Sequence, residues 1–275
     1  MLSTLIFLAS GQAMADWENL PATGVSVGSD TSAYILCNPT GNFGSGSASG
    51  APVQPTSVTE ACALLPATDA AVPDSNFTGL NRIPIGSKTR SIYMNNSYTN
   101  YTDINIGVMR EYVWRRPTND GYECIYGMKV TMNFNDYDLN QPYSQFFEIN
   151  DLARKGWSGK TVNVAYSTVP TSADPTYRIG RTFTSIQHSA GVSYIAQPPV
   201  GLDSSPAITS TQKADLNSDW IVFTTRADVV SGMQYVRTEC SANDLTTASD
   251  AIRLRQTSRD GQPPIEIEVE GFLPN

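Results

Sequence analysis

The sequence predicts an all-β protein, an antiparallel β-sandwich of the jelly-roll or immunoglobulin-like kind with long loops and at most one or two short helices. Three observations support this prediction. Charged residues make up only 16% of the chain, whereas Gly, Pro, Ser, Thr, Asn and Tyr are abundant, as in turn-rich β proteins. Short runs of alternating apolar and polar residues recur between Gly, Pro and Asn turns. A chain of 275 residues can also bury a sufficient core without help from disulfides.

The first fifteen residues are predicted to be a secretory leader. Leu5–Ala9 forms a short apolar run, and Ala13–Ala15 is an A-x-A cleavage signal just before Asp16. The run is too short to cross a bilayer. No Lys or Arg precedes it, so a buried N-terminal strand is the alternative interpretation. We expect the mature protein to begin at Asp16.

The predicted organisation has three parts: a signal peptide over residues 1–15, a loop-rich N-terminal segment over 16–80 and a sandwich domain over 81–275. Within the N-terminal segment, Ser32–Leu36 has the composition of a short strand. Residues 38–58 follow as a low-complexity stretch rich in Gly, Ser and Pro. This stretch is expected to be a long loop.

The chain contains four cysteines, and an even number behind a leader indicates two disulfides. Three pairings are possible. We favour Cys37–Cys62, which would close a Gly- and Pro-rich loop, together with Cys124–Cys240, which would tie distant strands. Closing the first loop would stabilise the fold by about 3 kcal/mol in the loop-entropy model. A zinc site with four thiolates is a poor alternative, because the closely spaced cysteine pairs that such sites use are missing.

A β-hairpin is predicted in the middle of the chain. Gly107–Arg115 alternates apolar and polar residues, Pro117–Gly121 supplies an Asp-Gly turn, and Tyr122–Phe134 returns as the second strand. Alternation places every second residue of that strand on one face. The face is expected to carry Tyr122, Cys124, Tyr126, Met128 and Val130.

Further strands follow at short spacing. They are Thr161–Thr168, Tyr177–His188, Trp220–Thr225, Met233–Thr238, Ala251–Gln256 and Ile265–Val269. The last two are predicted to form a closing hairpin around Asp260–Gly261. In the final strand Glu266, Glu268 and Glu270 alternate with aliphatic residues, so we expect one buried face and one solvated, acidic face. The best helical candidate is Phe146–Arg154, a short segment with apolar spacing.

The net charge argues against two classes of partner. Eighteen basic and twenty-six acidic side chains give a charge of −8. Nucleic acid and anionic membrane surfaces both require a positive footprint, so neither is expected to bind. No later segment is apolar for long enough to be a transmembrane helix.

Two oxygen-rich clusters are predicted as calcium sites. Side-chain oxygens at alternate positions of a loop suit calcium, which takes about six to eight oxygen ligands. Neither cluster has the Gly and Glu that complete an EF-hand loop. The alternative is that these residues form turns through Asx hydrogen bonds. The clusters consist of Asp136, Asp138 and Asn140, and of Asp215, Asn217 and Asp219.

Catalytic chemistry has few candidates. His188 is the only histidine, and neither a G-x-S-x-G elbow nor an H-E-x-x-H pattern accompanies it. The carboxylates Glu123, Glu148, Asp136 and Asp138 would serve a glycosidase only if two of them faced a sugar at the required separation. We therefore predict no catalytic residues and no enzyme. A secreted hydrolase is the least favoured alternative.

A tyrosine-rich segment is predicted to be an exposed, adhesive loop. Met94–Asp103 is polar and aromatic throughout. Tyr and Trp on a rigid β surface can stack on sugars or become buried against a partner protein, although they are also ordinary strand residues. The tyrosines in this part of the chain are Tyr93, Tyr98, Tyr101, Tyr112, Tyr122 and Tyr126.

Four segments carry a family resemblance: Asp136–Asn140, Phe147–Asp151, Tyr177–Ser185 and Asp219–Thr225. Over about residues 105–270 the chain resembles proteobacterial secreted surface proteins of the "choice-of-anchor" type. These are β-rich ectodomains with interchangeable C-terminal sorting tails. The resemblance implies a location at the bacterial envelope and no catalytic residues. Gly271–Asn275 lacks the features of such a tail, so the product is expected to be released, or held at the surface by other molecules.

The sequence favours a secreted structural or adhesive protein of the cell surface or extracellular matrix. Self-association into a homo-oligomer or filament is expected, because an extended segment can add to the sheet edge of a neighbour. The alternative is a calcium-assisted carbohydrate-binding module with surface glycans as partners. Calcium is the one cofactor predicted.

Overall fold

A computed structural model describes residues 17–27, 30–33, 84–167, 176–183, 216–256 and 265–275. These residues form thirteen strands. In chain order they are β1 (Glu18–Asn19), β2 (Val25–Val27), β3 (Asp30–Ser32), β4 (Gly86–Met94), β5 (Ile104–Thr118), β6 (Gly121–Met132), β7 (Ile149–Lys155), β8 (Val162–Ser167), β9 (Thr176–Gly180), β10 (Trp220–Ala227), β11 (Met233–Cys240), β12 (Thr246–Gln256) and β13 (Ile265–Leu273).

The strands form two main sheets, and the predicted all-β class is confirmed. A six-stranded sheet has the order β1-β8-β11-β6-β5-β4, and a five-stranded sheet has the order β13-β12-β7-β10-β9. The pairings within both sheets are antiparallel, and β2 and β3 form a separate pair. The described residues contain no helix, and therefore none that could cross a membrane. The finer assignment to a jelly-roll or immunoglobulin-like type stays a prediction.

The core lies between the two sheets. Val113 and Met128 come from the six-stranded sheet, whereas Leu152, Phe223 and Leu254 come from the five-stranded one, and all are buried in one apolar cluster. Residues of one face recur at every second position of a strand, which explains why alternating sequence segments supply this cluster. The packing is that of a β-sandwich.

The predicted central hairpin is confirmed as β5 and β6. Thr118 pairs with Gly121, so Asn119 and Asp120 form the turn and Gly121 already belongs to β6. Every second residue of β6 faces the core, as the alternation predicted. The buried residues of this face are Cys124, Tyr126, Met128, Val130 and Met132.

The predicted Cys124–Cys240 disulfide is present and joins β6 to β11. These strands are neighbours in the six-stranded sheet, although the two cysteines are 116 residues apart in the chain. The Cys37–Cys62 pair lies outside the described residues. So do Leu36, the Asp260–Gly261 turn and the proposed leader.

The helix expected at Phe146–Arg154 is wrong, because Ile149–Lys155 forms the strand β7. This strand is central in its sheet and pairs with both β10 and β12. Its polar residues are buried with partners: Asp151 accepts a hydrogen bond from the Thr224 hydroxyl at 2.8 Å, and Arg154 forms an ion pair with Glu111. Burial on both faces removes the alternation that would have indicated a strand.

The solvated acidic face expected on the last strand is also wrong at one position. Glu266 is fully buried, and its carboxylate forms ion pairs with Arg253 and Arg255 of β12. Glu268 also contacts Arg253, while Glu270 contacts Lys88 and Arg90 of β4. Basic side chains from β12 and β4 therefore neutralise this face of β13.

One edge of the sandwich is closed by a buried ion pair. Glu111 of β5 and Arg154 of β7 lie between the sheets, with 2.9 Å between Oε1 and Nη1. The Glu111 carboxylate accepts the backbone N–H of Phe272 at 3.3 Å, and Arg154 donates to the Phe272 carbonyl at 2.6 Å. Burial lowers the pKa of Arg154, and the Glu111 carboxylate opposes that shift. The pair thus satisfies backbone groups of the edge strand β13.

The outer face of the six-stranded sheet carries a smaller apolar cluster. Trp114 packs against Tyr235 there, and Trp17 covers Tyr235 with 6.3 Å between ring centroids. Gly127 is required beneath this cluster, because a Cβ atom at that position would lie 2.8 Å from the Trp114 ring. Since Glu18 pairs with Val164 of β8, the beginning of the described chain is part of the sandwich.

Candidate binding surface

Two loops meet at one end of the sandwich. Residues 95–103 connect β4 to β5, and residues 133–148 connect β6 to β7. The backbone N–H of Leu139 donates to the Tyr98 carbonyl at 3.1 Å, and the Asn140 side chain donates to the carbonyls of Ser97 and Tyr98. The two loops are therefore hydrogen-bonded to each other.

The second loop is also fixed to the beginning of β5. Asn133 donates from its backbone to the Ile106 carbonyl at 2.8 Å and from its side chain to Asn105 Oδ1. The Asn135 side chain donates to the Asn105 carbonyl at 2.7 Å. These bonds extend the β5–β6 pairing beyond the last residue of β6.

Buried aromatic rings hold the loops to the core. Tyr98 and Tyr137 pack edge to face with 6.1 Å between centroids, and Tyr137 packs on Phe147 at 6.2 Å. The Tyr137 hydroxyl accepts a hydrogen bond from the Gln256 side chain at 2.7 Å. Burial, and secondarily the nearby Asp138 carboxylate, raises the pKa of Tyr98. The second loop thus has a buried ring, Tyr137, and the first a half-buried one, Tyr98, packed against the core.

Above these rings the loops expose large hydrophobic side chains. Tyr101 and Tyr143 are the most exposed, at 75% and 77%. In the described part of the chain, five of the nine exposed large hydrophobic residues belong to these two loops. We call them together the aromatic loop surface; they are Tyr101, Phe134, Leu139, Tyr143 and Phe146.

The backbone at Tyr101 is in an unfavourable conformation. Asn100 and Tyr101 have φ angles of 50° and 56°, and they are the only non-glycine residues with positive φ among those described. Asn tolerates the left-handed region, but a bulky residue such as Tyr does so at a cost of about 1–2 kcal/mol. The Tyr101 N–H is held by the Asn96 carbonyl at 2.9 Å. An exposed ring is thus presented on a strained turn.

The two loops that carry this surface are polar and contain no Lys or Arg. The sequence has no Lys or Arg in residues 91–109 or 130–153. Exposed amides stand among the rings, and the Asp103 carboxylate accepts a hydrogen bond from the Asn95 side chain at 2.7 Å. The exposed amide side chains are Asn95, Asn100, Asn135, Asn140 and Gln141.

The first predicted calcium cluster lies inside the 133–148 loop. Asp136 Oδ1 accepts the backbone N–H groups of Asp138 and Gln145, and Asp138 Oδ1 accepts the N–H of Asn140. Asp138 is 1% exposed. These are Asx-type hydrogen bonds that shape the loop, which is the alternative role considered for the cluster.

The second predicted cluster lies elsewhere. Asn217 Oδ1 accepts the N–H of Asp219, and Asp219 Oδ1 accepts the N–H of Ser158, whereas Asp215 lies outside the described residues. The two clusters flank opposite ends of β7, which at about 3.3 Å per residue separates them by about 20 Å. Within the ranges that the structure describes, no three His, Cys, Asp or Glu side chains form a group that could hold a metal. Calcium binding stays a prediction.

Of the catalytic candidates, Asp136, Asp138 and Glu148 all lie in the 133–148 loop, whereas Glu123 is remote from them. His188 lies outside the described residues. Glu123 is near the beginning of β6 and forms ion pairs with Arg116 and Arg237, whereas Asp136 follows the end of that strand. At about 3.3 Å per residue the length of β6 places Glu123 tens of ångströms from Asp136, far beyond the roughly 5–10 Å between the carboxylates of a glycosidase.

The sequence predicts only half of the candidate surface. Met94–Asp103 is predicted to be an exposed loop, whereas Asp136–Asn140 is predicted to be a calcium cluster and Phe146–Arg154 a helix. Phe134 was placed at the end of a strand whose even-numbered residues face the core. The structure ends β6 at Met132 and exposes Phe134, which packs edge to face on Phe146 at 5.6 Å.

Comparison with known protein families, curated proteins and solved structures finds no match for this chain. The resemblance to "choice-of-anchor" surface proteins therefore stays a prediction.

Proposed function

We propose that this chain is an extracellular surface or matrix protein that adheres to its target through the aromatic loop surface. The observation that supports the proposal is the concentration of exposed rings on two interlocked loops. Large apolar side chains grouped at a surface mark interaction sites more often than scattered single ones do. Tyr residues are also enriched among those that dominate binding energies.

The rigidity of the loops supports the same proposal. Hydrogen bonds between the loops, the Tyr98–Tyr137 contact and the Asx turns fix the surface before any partner arrives. A preorganised surface loses less conformational entropy when it binds. The exposed rings can therefore contribute most of their burial energy to adhesion.

The Cys124–Cys240 disulfide supports an extracytoplasmic location. It joins two strands whose cysteines are distant in sequence, and such bonds persist in oxidising compartments. Together with the predicted leader, it is the basis for proposing secretion to the cell surface or matrix. The envelope of a proteobacterium is the compartment implied by the resemblance.

Adhesion of the purified, oxidised protein to a proteobacterial biofilm matrix tests the proposal. The variant Tyr101→Asn/Tyr143→Ser removes both rings, and Asn is chosen because it tolerates the left-handed backbone at position 101. We expect this variant to lose adhesion. The control Ile85→Ser removes an exposed hydrophobic side chain just before β4, at the end of that strand away from the loops. Equal adhesion of all three proteins would overturn the proposal.

Self-association is a second candidate, and the position of β13 favours it. This strand lies at the edge of the five-stranded sheet, and another chain can add a strand along it up to Phe272, whose backbone groups already bond Glu111 and Arg154. The ion pairs of Glu266 with Arg253 and Arg255 reduce the charge repulsion that three glutamates would otherwise cause. Sedimentation velocity over a range of concentrations tests this: assembly supports it, and a monomer at every concentration removes it.

A further inference from the structure

We propose that the aromatic loop surface binds neutral carbohydrate, in a mode in which Tyr101 and Tyr143 stack on sugar rings and neighbouring amide side chains bond the hydroxyl groups. This inference rests on the proposed adhesive function and names its ligand class. It requires no metal ion.

The charge of the two loops themselves argues against anionic ligands. Residues 91–109 and 130–153 contain no Lys or Arg, and Asp103 and Asp136 add negative charge. Sulfated or uronic-acid polysaccharides, nucleic acids and acidic headgroups all depend on cationic side chains for affinity. A neutral ligand avoids the unfavourable interaction with these carboxylates.

The chemistry of the exposed groups matches that of a pyranose. A pyranose has an apolar face of C–H groups and a rim of hydroxyl groups, each of which donates and accepts hydrogen bonds. Tyr offers an apolar ring with a polar tip, and the side chains of Asn100 and Gln141 each offer a donor and an acceptor. Rings interspersed with amides thus meet both parts of the sugar.

The hydrogen bonds of the 133–148 loop give the reason for expecting metal independence. Asp136 and Asp138 direct carboxylate oxygens at backbone N–H groups of their own loop. These bonds shape the loop that carries Leu139 and Tyr143. The carboxylates therefore act on the surface by positioning its backbone, and a chelator should leave the binding unchanged.

Retention on immobilised neutral polysaccharides tests the inference. The probes are dextran, mannan and galactan, with alginate and heparin as anionic comparisons. We expect at least one neutral polymer to retain the protein equally at about 50 mM and about 500 mM NaCl, because charge pairs do not contribute. We also expect the retention to survive EDTA. Retention only by anionic polymers, or loss of retention in EDTA, would overturn the inference.

Matched variants locate the binding on the surface. Tyr101→Asn/Tyr143→Ser should weaken retention by about tenfold or more, since each ring contributes stacking energy. Tyr101→Phe/Tyr143→Phe keeps both rings and should retain most of the affinity, and Ile85→Ser should be unchanged. Equal retention of the ring-deleted variant and the wild type would contradict the assignment.

Treatment of the biofilm matrix separates failure of this inference from failure of the adhesive function. Periodate cleaves vicinal diols of sugars, and protease removes protein. Adhesion abolished by periodate and resistant to protease is the expected result. Adhesion that depends on both rings but is abolished only by protease would replace the glycan by a protein partner and leave the adhesive function standing. Adhesion that does not depend on the rings would remove both.

Discussion

Tyr98 and Tyr137 pack edge to face, with 6.1 Å between their ring centroids, and so join the 95–103 loop to the 133–148 loop. Tyr137 is fully buried, and its hydroxyl accepts a hydrogen bond from Gln256 of β12. One side chain thus ties the first loop, the second loop and the five-stranded sheet together. The exposed rings of the aromatic loop surface depend on this interior contact for their fixed positions.

Replacing Tyr137 should therefore affect both stability and binding. We expect Tyr137→Leu to lower the free energy of unfolding by about 2 kcal/mol, from the lost ring contact and the unpaired Gln256 amide. Urea denaturation measures the loss. Tyr143→Leu, at an exposed position, should leave stability within about 0.5 kcal/mol. Similar losses in the two variants would show that Tyr137 does not anchor the loops.

The strained backbone at Tyr101 gives a prediction of the opposite sign. Glycine adopts positive φ without steric cost, so Tyr101→Gly should raise the free energy of unfolding by about 1 kcal/mol while weakening adhesion. Thermal and urea unfolding measure the first effect, and matrix adhesion measures the second. Asn100→Gly serves as the control and should stabilise less, because Asn already tolerates this region. A destabilised Tyr101→Gly variant would contradict the assignment of strain.

The buried ion pair at the edge of the sandwich should be costly to break. Glu111→Gln leaves the Arg154 cation buried without its carboxylate, and we expect a loss of about 3–5 kcal/mol. The matched change Glu123→Gln breaks the partly exposed pairs with Arg116 and Arg237 and should cost less than about 1 kcal/mol. Urea denaturation of both variants measures the two losses of unfolding free energy. Similar losses would show that burial does not control how much these ion pairs stabilise the fold.

Glu270 should give a pH dependence at the acid end. The Lys88 ammonium, with smaller contributions from Thr247 and Arg90, lowers the pKa of Glu270 from 4.5 to about 2. A carboxyl group whose pKa is lower in the folded state stabilises the fold above its unfolded pKa, and this contribution is lost as the pH falls from about 4.5 through about 2. Because the side chain is 43% exposed, we expect less than about 1 kcal/mol.

The measurement compares the wild type with Glu270→Gln in urea across this pH range. The difference in stability should be largest near neutral pH and should shrink below about pH 4.5. Lys88→Met, which removes the first partner of Glu270, should show a weaker pH dependence than the wild type. A difference that stays constant from neutral pH to pH 2 would rule out this ion pair as its source.

The β5–β6 hairpin could be predicted from sequence, because the residues that specify its two strands and its turn are neighbours in the chain. Alternation over Gly107–Arg115 and Tyr122–Phe134, with a turn between them, fixed both the pairing and the inward face of β6. The register differs only at the turn, where Gly121 already belongs to the strand. Local patterns of this kind also located most of the other strands.

The strand β7 could not be predicted, because the residues that bond its buried polar side chains lie far away in the chain. Asp151 is satisfied by Thr224, and Arg154 by Glu111, residues far away in the chain. Because the local sequence does not show those partners, a segment of mixed charge is predicted to be a helix or an exposed segment. The burial of Glu266 also escaped prediction, because glutamates that alternate with aliphatic residues indicate a solvated face, whereas Arg253 and Arg255 pair with this one.

The candidate surface could be predicted only where its residues are mostly polar. Met94–Asp103 indicated an exposed loop, but adjacent Phe146 and Phe147 gave no indication that one ring is exposed and the other buried. Phe147 packs in the core cluster, whereas Phe146, the residue before it, is exposed. The Asx spacing of Asp136 and Asp138 correctly indicated a structured loop, although it could not distinguish a calcium site from a turn.

The most direct test of the aromatic loop surface is chemical footprinting of tyrosines in the adhering protein. Tetranitromethane nitrates accessible tyrosines, and mass spectrometry of peptides reports each one separately. For the free protein we expect the fastest nitration at Tyr101 and Tyr143, the two most exposed rings in the described residues. When the protein is bound to biofilm matrix, both should be protected, while the half-buried Tyr122 near the opposite end of β6 should react as before. Unchanged nitration of Tyr101 and Tyr143 in the adhering protein would contradict the account.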